Sequence, residues 1–156
     1  MQLETARLQI RPFCERDAAA LHEILSDPGV MRWIEAPYTM EQTLLFLRRA
    51  GLSVPPLIYA VVEKAGGQLI GQLIWHLWDE SSMELGWILR RDRWGRGLAS
   101  ELTQAMLQES NGDVVLECVP EQAATIHIAE RFGFTLEEEG TLLRYRKTRA
   151  CCKMHA

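Results

Sequence analysis

One stretch of ten residues constrains this chain more than any other: Arg91-Asp92-Arg93-Trp94-Gly95-Arg96-Gly97-Leu98-Ala99-Ser100. It follows a strand-like run, Met83 to Leu89, and opens a helix-like one. Two glycines one residue apart let the backbone approach a ligand with no Cβ in the way, and the amides that begin the next helix have no intrahelical partners. Those donors, at the positive end of the helix dipole, suit a phosphate group. Arg91, Arg93 and Arg96 are expected to surround it with side-chain charge. A tight strand-to-helix turn with solvated arginines is the plainer reading of the same residues. Other phosphate loops fit worse. No Lys follows Gly97, as G-x-x-x-x-G-K-[ST] requires, and the third position after Gly97 is Ser100, where G-x-G-x-x-G requires glycine.

The rest of the chain supplies a layered frame for that loop. Leu8, Ile10 and Pro12 alternate with Arg7, Gln9 and Arg11, which predicts a half-buried first strand. Ala18, Leu21, Ile24 and Leu25 give the apolar stripe of a helix that Asp27-Pro28-Gly29 is expected to stop. Thr39 and Gln42 stand at capping-box spacing before a second helix ending at Gly51. Leu57 to Glu63 and Gln68 to Trp78 read as strands joined by Lys64-Ala65-Gly66-Gly67, and Met83 to Leu89 as the next strand. Leu98, Leu102, Ala105 and Met106 share one helix face, Val114 to Val119 is a further strand, and Ala123 to Phe132 a further helix. Phe134 to Glu138 and Leu142 to Lys147 close the chain as a hairpin. The expected class is α/β (α+β): a mixed, largely antiparallel central sheet of six to seven strands with about four helices on both faces.

Length and charge narrow the function classes. A chain of 156 residues is of one-domain length, expected here over 1–149, with 150–156 a flexible tail. The formal charge of −4 argues against broad nucleic-acid binding, and no apolar run is long enough to span a membrane. A cytoplasmic location is expected. Cys14, Cys118, Cys151 and Cys152 show no C-x-x-C spacing, and no metal site is expected. The final strand, if exposed, would allow a homodimer as well as a monomer.

Trp94-Gly95-Arg96-Gly97-Leu98-Ala99 resembles the acetyl-CoA pyrophosphate loop of the GNAT N-acetyltransferase superfamily, whose loose pattern is Arg/Gln-x-x-Gly-x-Gly/Ala. Trp94 stands where many members have Arg or Gln. That departure is similar to the ribosomal-protein-alanine acetyltransferase (RimJ/RimL-like) branch. Leu3 to Leu8, Asp27 to Trp33 and Ala129 to Phe134 resemble the same branch, in the same order along the chain. The resemblance implies acetyl-CoA as cosubstrate, with Trp94, Gly95, Arg96, Gly97, Leu98, Ala99 and Ser100 on its pyrophosphate. It also implies that the strands over Met83–Leu89 and Val114–Val119, fourth and fifth by the family's count, splay apart to admit the pantetheine arm. Trp87, Ile88 and Leu89 would then line the thioester, with the amide near Leu89 polarising its carbonyl.

Acetyl transfer to an amine needs a neutral nucleophile, a stabilised oxyanion and a proton for the departing thiolate. Glu84 lies where many members carry an acid, and reads either as the general base or as a solvated strand residue. His76 on the preceding strand is the second candidate base or a packing residue. The Tyr that many members use as acid is replaced here by Ile128. The branch's Asn-x-x-Ser pattern falls on Gln122 and Thr125, so the resemblance implies a cofactor contact at Gln122 and a hydroxyl beside the sulfur at Thr125. Thr125 could instead bond its own helix backbone. Trp33, Glu35 and Tyr38 border the acceptor side by the same resemblance. The expected reaction is direct transfer, in a ternary complex, to a primary amine: a protein N-terminus, or a small amine drawn by Glu35, Asp79, Glu80 and Glu84. A non-catalytic acetyl-CoA-binding module is the reading from another class.

Overall fold

A computed structural model describes residues 1–149. The expected tail, with Cys151 and Cys152, lies outside the described residues. The sheet is the expected mixed, largely antiparallel one, with eight strands in the order β1-β2-β3-β4-β5-β6-β8-β7. These are β1 Leu3–Glu4, β2 Leu8–Arg11, β3 Ile58–Glu63, β4 Leu69–Leu77, β5 Ser82–Leu89, β6 Asp113–Cys118, β7 Thr135–Glu139 and β8 Leu143–Lys147. The strand beyond the expected six to seven is β1, two residues with too short a pattern to read. Five α-helices are described: α1 Ala18–Leu25, α2 Pro28–Met31, α3 Met40–Phe46, α4 Leu98–Glu109 and α5 Ala123–Arg131.

Asp27-Pro28-Gly29 ends α1 as expected but also starts α2. Asp27 accepts from the Gly29 amide at 2.9 Å, and Pro28 takes the first helical position, where its missing N–H costs nothing. The Thr39–Gln42 capping box forms in both directions, at 3.1 and 2.9 Å. The turn after β3 carries positive φ at Gly66 and Gly67, +88° and +69°. The final strand is not an exposed edge. β8 lies between β6 and β7, which leaves β7 with its three consecutive glutamates at the sheet's edge. Like charges along an edge oppose its pairing with a second copy.

Period-two alternation divides the core in two. Trp75, Leu85, Leu89, Val114, Leu116, Leu143 and Tyr145 face one side, under Leu98, Leu102 and Met106 of α4 and Ala129 of α5. Leu21, Ile24, Leu25, Met31 and Leu47 pack on the other side against Ile58, Ala60, Val62, Leu69 and Ile88. That second cluster contains no residue of β6 or β8. There the alternation places His76, Glu84, Glu117, Arg144 and Arg146, a half-face of polar residues outside both apolar clusters.

Candidate active site

β5 ends at Leu89, and a 3₁₀ turn over Arg91–Arg93 leads into the glycines. Gly95 and Gly97 both adopt left-handed backbone, φ +73° and +77°. A Cβ at Gly95 would meet no atom within 4 Å, so the loop is open above that residue. Gly97 is the N-cap of α4 and offers no side chain to cap it; the first helical bond runs from the Glu101 amide to the Gly97 carbonyl, at 3.0 Å. The amides of Leu98, Ala99 and Ser100 are thus left as the donor set that an anion needs. The loop therefore fits a pyrophosphate.

The arginines divide differently from the expected ring of charge. Arg93 turns to β3, where it forks onto Glu63 at 3.0 and 3.1 Å. Arg91 pairs with Asp27 at the start of α2. Both are held by carboxylates, leaving Arg96 as the exposed arginine of the loop that has no ion pair among the described residues. Trp94 braces the loop, donating from Nε1 to the Leu89 carbonyl at 3.0 Å. Arg7 was missed as a site residue although it lies in a stretch that carries the family resemblance. Its Nη1 holds the Arg96 carbonyl at 2.9 Å and its Nε holds Glu101 at 2.9 Å, which ties loop and helix to the first strands.

Beside the loop the sheet forks. β5 and β6 pair in parallel only at Ser82–Asp113, Met83–Val114 and Glu84–Val115, although both strands continue. β4 follows the other edge of β5 as far as Gly71–Leu89. The Arg90 amide donates to the Ile70 carbonyl at 2.8 Å, so Arg90 faces β4. Peptide direction alternates along a strand, so Leu89 faces the fork, as an oxyanion-hole amide must. Trp87 and Leu89 pack toward the α4 side and Ile88 toward α1, so only the first two share one face.

Glu84 is the last paired residue before the fork, and it stands directly opposite His76 in the β4–β5 register. The structure joins the two base candidates: His76 Nε2 lies 2.9 Å from Glu84 Oε2. His76 Nδ1 lies 3.0 Å from the Leu77 carbonyl, which only accepts, so Nδ1 carries a proton. The Nε2–Oε2 distance is that of an ion pair, and Glu84 is a base while its carboxylate is ionised. Burial, with the neighbouring Glu117 charge, raises the pKa of Glu84 above the usual carboxylate value, against the opposing pull of His76.

Thr125 and Gln122 open α5, which begins soon after β6 ends. The Gln122 Oε1 accepts from the Val119 amide at 3.1 Å, which fixes the turn between them. The Thr125 hydroxyl makes no hydrogen bond among the described residues, so the helix does not consume it. Trp33, Glu35 and Tyr38 cluster along the chain, in the connection between α2 and α3. Tyr38 donates to Glu35 at 2.6 Å, meets Phe46 edge-on at 5.8 Å, and has its pKa pushed up to about 12 by burial and by Glu35. Arg32 lies over the Trp33 ring at 4.5 Å. No hydrogen bond or ion pair joins this cluster to His76 and Glu84 among the described residues.

Cys118 is buried on β6, and burial pushes its thiol pKa up. A thiol so placed is a poor nucleophile. Cys118→Ala is expected to keep wild-type turnover while costing about 1 kcal/mol of stability, readable by assay and thermal melt.

Comparison with known proteins agrees with this geometry. Residues 7–135 match the family described as an acetyltransferase (GNAT) domain. The chain is 28% identical over 145 residues to the uncharacterised N-acetyltransferase YnaD of Bacillus subtilis, covering 88% of this chain and 84% of that one. A GNAT-family acetyltransferase from Bacillus anthracis superposes with a TM-score of 0.84 at 25% identity, covering 95% and 98% of the two chains. RimL, a ribosomal L7/L12 α-N-protein acetyltransferase solved with coenzyme A, superposes at 0.80 with 17% identity, covering 95% and 98%, a likeness of fold.

Proposed function

The chain belongs to the GNAT acetyltransferase family and is an N-acetyltransferase; from that premise we propose that it moves the acetyl group of acetyl-CoA directly onto a primary amine held at the fork. The observation that carries this reading is the His76–Glu84 pair, 2.9 Å apart where β5 and β6 part. Leu98, Ala99 and Ser100 amides, with Gly95 and Gly97, hold the pyrophosphate. The arm of the cosubstrate takes the edge of β5 that β6 leaves unpaired, and the Leu89 amide faces its thioester carbonyl. Glu84 takes the proton that the ammonium must lose before its nitrogen can attack, with His76 as its partner. Reaction in a single ternary complex needs no covalent enzyme intermediate, in keeping with a buried Cys118.

The branch resemblance favours a protein N-terminus as acceptor. A small cationic amine is favoured instead by the charge of the polar half-face, where Asp79, Asp113, Glu117, Glu137 and Glu138 outnumber Arg144 and Arg146. The half-buried and buried free cysteines, Cys14 and Cys118, suit a reducing, cytoplasmic setting. Thiol release from acetyl-CoA, measured over peptides with different N-termini beside spermidine and an aminoglycoside, tests both readings. Turnover with one peptide N-terminus supports the first acceptor and turnover with a polyamine or aminoglycoside the second. No turnover with any amine, while acetyl-CoA raises the melting temperature, would point to a binding module.

Among the described residues the Thr125 hydroxyl has no partner, and we assign it to the departing sulfur. Thr125→Ala should lower kcat roughly tenfold, the worth of one hydrogen bond, and leave acetyl-CoA affinity within error. Equal rates would remove Thr125 from the reaction.

A further inference from the structure

Glu84 does not act on an empty face. Glu117 lies on β6 two residues past Val115, the partner of Glu84, and alternation puts both carboxylates on the same side of the sheet. One stands at the base of the fork and the other on its far arm. Glu117 is itself held: Arg144 Nε on β8, its register partner, lies 3.4 Å from Glu117 Oε2. Arg144 is fixed in turn by Glu138 at 2.6 Å and by the Trp78 ring at 4.9 Å. Its buried Nε has no hydrogen-bond acceptor among the described residues, so the Glu117 charge is what offsets it.

We propose that the Glu117–Arg144 pair is a positioning unit for catalysis, facing Glu84 across the fork and setting the pH at which the Glu84 carboxyl gives up its proton. The proposal rests on the base reading of Glu84. A negative charge near a carboxyl keeps the proton on it, and a positive charge drives it off. Glu117 therefore makes Glu84 a stronger base, and Arg144 limits how far that goes. The other charges on this half-face are already committed. Arg146 on β8 pairs with Glu137 at 2.8 Å, Asp113 at 3.3 Å and Asp79 at 3.9 Å, and Glu138 is spent on Arg144. From β4 the facing group is His76, and from β6 it is Glu117.

The two members of the unit have opposite signs, which a merely structural role does not reproduce. The test is the pH profile of kcat/KM for one amine acceptor, since the titration of that amine is common to all variants. Glu117→Gln should move the midpoint of the acid limb down by roughly half a pH unit, and Arg144→Gln should move it up by a similar amount. Arg144→Lys keeps the charge and should hold the midpoint near the wild-type value, while Arg144→Met, which removes the charge but keeps an unbranched stem against Trp78, serves in place of the Gln variant if that one fails to fold. Midpoints that stay put when either charge is removed, or that move the same way in both cases, overturn the proposal. Glu84→Gln is run beside them: a slow Glu84→Gln with unmoved midpoints elsewhere overturns this proposal alone, whereas wild-type rates in Glu84→Gln overturn the base reading on which it rests.

Discussion

Glu84→Gln is expected to lower kcat by roughly 10²- to 10⁴-fold, the range that a positioned general base supplies, while the melting shift produced by acetyl-CoA stays the same. The substitution keeps the size and the hydrogen-bonding reach of the side chain. It removes the ability to take a proton. Gln can donate to His76 Nε2, now 2.9 Å from Glu84 Oε2, so the cross-strand contact survives and folding should not suffer. The loop to which the cosubstrate is assigned lies beyond the far end of β5, past Leu89, and no hydrogen bond or ion pair joins it to Glu84 among the described residues. The deficit should narrow as the pH rises, because the acceptor then arrives already neutral and needs no base. A loss that is independent of pH would mean that Glu84 only shapes the face. His76→Gln, which leaves the carboxylate in place, separates the two members: a smaller loss there assigns the proton to Glu84.

The half of the site that the sequence discloses is the half written in consecutive residues. Gly95 and Gly97 are legible because a left-handed backbone and a helix start leave a local mark, and the structure gives both glycines φ near +75° at the head of α4. The Thr39–Gln42 box is local in the same way. Cross-strand partners are different. His76 and Glu84 are each legible as candidates, but their pairing depends on the register set by the Trp78 to Ser81 turn, and nothing in either strand states it. Glu117 and Arg144 meet because β8 inserts between β6 and β7, an order that the hairpin pattern alone leaves open. The arginines of the loop misled for a related reason. A charge counted along the chain counts as available to a ligand, whereas Arg93 and Arg91 are committed to Glu63 and Asp27, residues from other elements. Arg7, which holds the loop from the opposite end of the chain, follows the same rule.

Gly95→Ala, paired with Gly66→Ala, should separate the cost of backbone strain from the loss of a binding site. The two glycines are matched as controls seldom are: φ is +73° at one and +88° at the other, and an added Cβ would meet nothing within 4 Å at either. Each alanine is expected to cost about 1–2 kcal/mol of stability, the usual penalty for an L-residue in the left-handed region. Thermal melts of the free proteins should therefore fall together. Only Gly95 stands in the loop that leads to the uncapped amides of α4, whereas Gly66 lies in the turn between β3 and β4. Acetyl-CoA affinity should drop by at least about tenfold in Gly95→Ala, where about 1.4 kcal/mol of contact or preorganisation is lost, and stay at the wild-type value in Gly66→Ala. Equal affinities in the two variants would place the pyrophosphate elsewhere on the protein. An affinity loss confined to Gly95→Ala, with matched melting temperatures, ties the loss to the loop itself, because overall destabilisation is the same in both proteins.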